Sequence, residues 1–170
     1  MIEFLPLPGR IIDGRTIRFG SVAGDDCLFT LSACAASAGR QSTIYDLGAC
    51  RPWLLTWRAQ CGFTASPALG DYVDLYIATS SDILGTVVDG DLGIVDAAVT
   101  TVDTLRNLGN KKIGSLVAPA AAATPLPQGS NVWRLTARYI ILFAWNYSTT
   151  KALNGTAADN FVDLTFHLQG

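Results

Sequence analysis

Regular alternation of apolar and polar residues constrains the fold of this chain more than any other feature. Every second residue from Trp53 to Phe63 is apolar, with polar residues such as Arg58 in between. Successive side chains of a strand point to opposite faces, so this period places the apolar residues on one side. The same period returns in residues 71–79 and 161–168. We therefore predict half-buried strands that cover a common core.

Three further segments carry strand patterns with interruptions. Residues 15–19 and 112–117 are short alternating runs, whereas residues 132–145 are too long for one ordinary strand and are expected to bend near Ala137. Residues 31–39 are rich in Ala and Ser and fit either a helical turn or a strand. That segment stays undecided at this level.

One helix is predicted, after a polar and glycine-punctuated loop over residues 80–93 that we expect to be an exposed contact segment. Asp96 would lie in the first turn of the helix and Gly109 just beyond its end. Apolar residues then recur at spacings near three and four: Val95, Val99, Val102, Leu105 and Leu108.

Length and element pattern together indicate the domain organisation. A chain of 170 residues fits one domain. Many short strands with one helix in a connection predict an antiparallel, jelly-roll-like β-sandwich over residues 15–170. Prolines and glycines in residues 1–14 predict an extended N-terminal arm, and we expect its apolar Phe4, Leu5 and Leu7 to contact a neighbouring molecule.

The charge content excludes some partners and favours others. Charged residues make up only 15% of the chain and its net charge is −2. Because no block of like charge exists, nucleic acid binding is not predicted. The longest apolar run, residues 139–145, is too short to cross a membrane, so we expect a soluble protein. A surface with so few charges is typical of proteins that are covered by partners.

Cysteine spacing argues against a metal site. Cys27, Cys34, Cys50 and Cys61 lack Cys-x-x-Cys spacing and have no histidine among them, so zinc is not predicted. The first residues contain neither a basic stretch nor a long apolar stretch, so we predict no secretory signal and reduced thiols.

Candidate catalytic residues are few. His167 is the sole histidine and shares a strand face with Asp163 and Thr165, but no Gly-x-Ser-x-Gly motif marks a nucleophile. We interpret His167 as a surface or interface residue. Glu3 is the only glutamate, so paired glutamates for glycoside cleavage are excluded. The sequence therefore predicts neither catalytic residues nor a cofactor.

Aspartates near residues 89–93 invite a calcium interpretation. Asp89 and Asp91 flank Gly90, but Gly93 and Thr100 stand where an EF-hand loop needs ligands. We favour a solvated turn that leads into the helix, with no metal bound.

Aromatic residues on the polar side of residues 71–79 are the most suggestive surface feature. Tyr72 and Tyr76 lie on that side beside Asp74. We predict a contact surface from these three residues together with Asp89 and Asp91. The alternative is that a helix or a second subunit covers this face, in which case the tyrosines simply pack there.

Several stretches resemble a group of small virion proteins encoded in the structural gene clusters of tailed bacteriophages. They cover most of the chain beyond the arm. The stretches are AGRQS at residues 38–42, DLG at 46–48, DYVDLYIATS at 71–80, LRNL at 105–108, IGSLV at 113–117, and the segment from residue 137 through 146 to 166.

This resemblance implies a non-enzymatic decoration or cement protein with a sandwich fold. Such a protein would be made in the host cytoplasm, would lie on the virion capsid surface as a small symmetric oligomer, and would have the major capsid protein as its partner. We favour a homotrimer over a monomer, because copies at local threefold positions bury like surfaces. The alternative is a carbohydrate- or receptor-binding β-sandwich module of a tail or fibre, which would use Tyr72, Tyr76 and Trp133 as stacking platforms.

Overall fold

The computed structural model describes residues 14–48, 53–80, 82, 88–118, 126–129 and 132–168. Within these ranges the chain forms twelve β-strands and one α-helix, α1 (Val102–Leu108). The strands are β1 (Thr16–Gly20), β2 (Cys27–Leu28), β3 (Ala38–Gln41), β4 (Tyr45–Asp46), β5 (Trp53–Cys61), β6 (Tyr72–Ser80), β7 (Ala97–Val99), β8 (Lys112–Val117), β9 (Leu126–Gly129), β10 (Trp133–Leu135), β11 (Tyr139–Asn146) and β12 (Phe161–Leu168).

The strands form two six-stranded sheets, and the predicted mainly β, sandwich-like architecture is confirmed. The first sheet has the order β10-β5-β12-β1-β2, with β9 also paired to β5. The second has the order β7-β3-β11-β6-β8, with β4 also paired to β11. Among the described strands, β1 and β2 run parallel and the remaining pairs are antiparallel.

The main core lies between the two sheets and follows the period of two. Leu55, Trp57 and Ala59 of β5 are buried in it, whereas Arg58 on the other parity is exposed. The second sheet contributes Val73, Leu75 and Ile77 of β6. Burying a large aliphatic or aromatic side chain stabilises the fold by roughly 1.5–3 kcal/mol. The predicted core faces of β5, β6 and β12 are confirmed for their described side chains.

A smaller core covers the outer face of the second sheet. Leu92 and Leu108 pack there against Tyr76, Ile141 and Phe143. Residues on both parities of β11 are therefore buried, which suits a strand at the centre of its sheet. For Tyr76, the alternative interpretation therefore applies: other residues of the chain cover the outer face of β6 here, and the tyrosine packs against them.

The helix prediction was wrong in its N-terminal half. Residues 97–99 form edge strand β7, antiparallel to β3, and α1 begins only at Val102. Val99 and Leu105 both pack on the outer core, so a strand followed by a helix reproduces the helical spacing of apolar residues. Asp96 precedes β7 and accepts hydrogen bonds from Thr30 rather than lying in a first helical turn.

The structure also decides the conformation of residues 31–39 and the course of the chain near Ala137. Residues 31–39 contain both alternatives, since a 3-10 turn at Leu31–Ala33 is followed by β3. The predicted bend near Ala137 separates β10 from β11, which belong to different sheets.

Two further predictions concern the N-terminal arm and membrane-spanning segments. The arm over residues 1–14, with Phe4, Leu5 and Leu7, lies outside the described residues except for Gly14, whose N–H donates to the Phe166 carbonyl at 2.8 Å. No described helix has the length and apolar character needed to span a bilayer.

Candidate functional site

The outer face of the second sheet carries a stacked tyrosine pair. Antiparallel pairing of β6 and β11 brings Tyr147 beside Tyr72, and the Tyr147 N–H donates to the Tyr72 carbonyl at 2.9 Å. The two rings stack with centroids 4.5 Å apart and planes inclined by 21°. Lys112 Nζ lies 6.0 Å from the centroid of the Tyr72 ring. Both tyrosines are half-buried, so their rings are partly open to a partner.

Asp74 lies two residues after Tyr72 on β6 and is the acceptor at the centre of a polar cluster. Its carboxylate accepts hydrogen bonds from Ser115 Oγ at 2.6 Å and from the Tyr76 hydroxyl at 3.2 Å, and Lys112 Nζ lies 2.7 Å away. Burial, with further contributions from Tyr147 and Asp74, raises the pKa of Tyr76. Tyr76 therefore stays a neutral hydrogen-bond donor.

The structure corrects the predicted contact surface. Asp74 is only 4% exposed and Tyr76 only 6% exposed. Leu92 and Leu108 belong to the apolar cluster that buries Tyr76, whereas Asp74 contacts Ser115, Lys112 and Tyr76. The part of this face that remains partly or largely exposed consists of Tyr72, Lys112, Ser115, Val117 and Tyr147, which we call the tyrosine face. Of the predicted residues on β6, Tyr72 alone belongs to it.

Sequence reasoning missed Tyr147, Lys112 and Ser115. Lys112 and Ser115 lie within the predicted strand over residues 112–117, and Tyr147 directly follows the one over residues 132–145. Their proximity to Tyr72, however, depends on which strands pair and in which register. A β-bulge between Leu75 and Tyr76 changes the register against β8, which strand spacing alone does not predict.

Asp89 is bound by other residues of the chain. Its carboxylate accepts a hydrogen bond from the Thr79 N–H at 3.0 Å and forms an ion pair with Lys111 at 3.1 Å. Burial opposes ionisation, but the hydrogen bonds from Thr79 and Lys111 outweigh it and lower the Asp89 pKa. Asp91 follows in the same 3-10 turn. No three His, Cys, Asp or Glu side chains are grouped to hold a metal ion in the described part of the chain.

His167 and Asp163 do not form a catalytic pair. Asp163 accepts two hydrogen bonds from the Arg18 guanidinium, at 2.7 and 2.8 Å. His167 Nε2 lies 3.5 Å from Thr56 Oγ1 instead. A general base needs a partner that orients its ring, and the carboxylate expected to do so here is bound to an arginine.

The stacking platform of the carbohydrate alternative is not assembled either. Trp133 lies on β10 of the first sheet and packs against the main core, whereas Tyr72 lies on the second sheet. Tyr76 is buried. These three rings therefore share no surface.

Cys27, Cys34 and Cys61 are buried free thiols, in line with the reduced state expected for a chain in which no secretory signal was recognised, and Cys50 lies outside the described residues. Burial raises the pKa of Cys27 and of Cys34 to about 11, and it raises that of Cys61 further. Since the thiolate is the nucleophile, these side chains are unreactive core residues at neutral pH.

Comparison with known proteins adds no family to this description. No family model, curated protein or solved structure matches the chain. The resemblance to small phage virion proteins stays a prediction that rests on the sequence stretches quoted above.

Proposed function

We propose that the protein is a non-enzymatic virion structural protein that decorates and stabilises a bacteriophage capsid as a cement protein. Its partners would be the major capsid protein and further copies of itself. The sequence resemblance suggests this role, and three structural features support it.

The order of the strands is the structural feature that supports this proposal most. Four strands of the first sheet follow the order β1-β12-β5-β10, and four of the second follow β3-β11-β6-β8. The chain passes between the sheets as two interlocked Greek keys would require, which supports the jelly-roll interpretation. Jelly rolls occur repeatedly in viral shells and in lectins.

Charged residues are largely used to join strands. Arg18 on β1 binds Asp163 on β12, and Arg138 binds Asp46 of β4 through two hydrogen bonds of 2.8 Å each. The buried Asp96 ion-pairs with Arg40 on β3. Paired in this way, these ionisable groups link neighbouring strands within each sheet. A rigid body of this kind suits a protein that reinforces a shell.

The tyrosine face offers a surface for the capsid. Tyrosines are enriched at protein interfaces, because they bury a large ring and retain a hydrogen-bonding hydroxyl. A protein that binds only the assembled shell stabilises it by mass action. Binding through Tyr72 and Tyr147 would therefore oppose disassembly of the particle.

The test is to purify particles formed with and without the protein, image both, and compare their tolerance to heat and low salt. We expect added density on the shell and a higher disruption temperature when the protein is present. Particles that lack the protein after purification from a producing host would contradict the proposal.

A trimer is the oligomer we propose, because identical copies at local threefold positions of a shell bury equivalent surfaces. Light scattering during size-exclusion chromatography should give a mass three times that of the 18.0 kDa chain. A mass of one chain at micromolar concentration would exclude a stable trimer in solution.

A further inference from the structure

A cavity opens on the other side of the molecule, at one end of the outer face of the first sheet. It has a volume of about 360 Å³ and lies between a turn over residues 22–25 and a 3-10 turn that contains Ala157 and Ala158. Arg18 and Phe161 also line it. Its volume falls within the range of roughly 300–1,000 Å³ that is usual for small-molecule sites.

Arg18 presents a fixed hydrogen-bond donor to this cavity. Two of its N–H groups bind Asp163, and the guanidinium lies 4.2 Å above the centroid of the Phe161 ring. These contacts hold the guanidinium plane, while 44% of the side chain stays exposed. The remaining N–H groups can therefore bind a ligand with little loss of side-chain entropy.

Asp25 supplies an acceptor on the same cavity. Its Oδ2 atom accepts the Val22 N–H at 2.8 Å, which holds the carboxylate in place. A donor and an acceptor that are both held by the fold thus meet at one small cavity.

Charge and wall chemistry limit the class of ligand. Among the residues that line the cavity, Arg18 carries a positive charge and Asp25 a negative one, and Arg18 is also paired with Asp163. Balanced charge gives no net attraction for phosphate or sulfate. Apolar groups form much of the wall, including Val22, which is 44% exposed.

We propose that this cavity binds a neutral sugar of about one hexopyranose ring. Hydroxyl groups of the sugar accept from Arg18 and donate to Asp25, and its C–H face packs against Val22 and the alanines. Such a site is independent of the capsid role and of the tyrosine face, which lies on the opposite sheet.

The experiment is a titration of the full-length, ¹⁵N-labelled chain with glucose, galactose, mannose and N-acetylglucosamine at millimolar concentrations, followed by amide chemical shifts. Inorganic phosphate is the anionic comparison. We expect at least one sugar to shift the amides of residues 22–25 and 157–158, with Tyr72 and Tyr147 unchanged.

The matched variants replace one exposed alanine each. Ala158→Trp fills the cavity and should weaken sugar binding at least about tenfold, whereas Ala98→Trp on the exposed edge strand β7 should leave it unchanged. The amide spectra also show whether each variant keeps the fold. Absence of sugar-dependent shifts, shifts with phosphate alone, or equal sugar binding by both variants would each overturn the proposal.

Discussion

At the residue scale, Gly114 on β8 lies against the ring of Trp57 across the main core. A Cβ atom at this position would come within 2.0 Å of Trp57 Cζ2. Because Trp57 is packed between the sheets, Gly114→Ala should destabilise the protein by about 1–3 kcal/mol, as overpacked cores do. Urea denaturation measures this difference. Gly155→Ala, where an added methyl meets nothing within 4 Å, is the control, and equal stability of the two variants would contradict the prediction.

Asp96 should make stability depend on pH. Burial opposes its ionisation, but hydrogen bonds from Arg40 and Thr30 outweigh burial and lower its pKa. A carboxyl group with a lowered folded-state pKa contributes its full stabilisation above the unfolded pKa of about 4, and this stabilisation is lost as pH falls through the folded pKa. The free energy of unfolding should therefore decline as the solution becomes acidic.

The decline should be shallower in Asp96→Asn than in the unmodified protein, because the amide does not titrate. Denaturation at a series of pH values between about 3 and 7 gives the comparison. Parallel profiles for the Asp96 variant and the unmodified protein would show that this carboxyl group is not the source.

At the element scale, α1 closes the outer core through Leu108. This side chain is 1% exposed and packs with Tyr76 and Phe143, whereas Val102 at the start of the same helix is 51% exposed. Leu108→Ala should cost about 2–5 kcal/mol, and Val102→Ala much less. Thermal unfolding of both variants tests this, and a similar loss in both would mean that α1 contributes little to the outer core.

The same element shows where periodicity misleads. Val99 and Leu105 recur as in one helix, yet Val99 belongs to β7. Local spacing records which residues are apolar, whereas pairing with the edge of β3 decides that residues 97–99 are extended. Hydrogen bonds to a strand more than fifty residues earlier are not visible in a window of local sequence.

At the scale of the whole molecule, the two outer faces of the sandwich should differ in function. Tyr72→Ala combined with Tyr147→Ala removes the stacked rings but keeps the backbone hydrogen bond between these residues. On the proposed capsid role, binding of this double variant to capsids should weaken at least about tenfold, because an aromatic hot-spot residue contributes about 2 kcal/mol or more. Thr56→Ala on the first sheet is the control. Unchanged binding of the double variant in a cosedimentation assay would move the contact away from the tyrosine face.

The amino-acid sequence by itself determined the long alternating strands β5, β6 and β12 and the faces they bury. Alternation in residues 53–63, 71–79 and 161–168 is a local property, because each strand exposes successive side chains to opposite sides. Burial of Leu55, Val73 and Leu164 follows directly from it.

Only the tertiary structure decided which outward residues meet. Tyr72 joins Tyr147 and Lys112 because β6 lies between β11 and β8, and Arg18 joins Asp163 because β1 pairs with β12. It also decided that Tyr76 is buried, since Leu92 and Leu108 pack with it on the outer face, and that Asp74 is buried beside its hydrogen-bond partners Ser115 and Tyr76. Such contacts depend on strand order and register over long sequence separations, and hydrophobic periodicity contains no record of either.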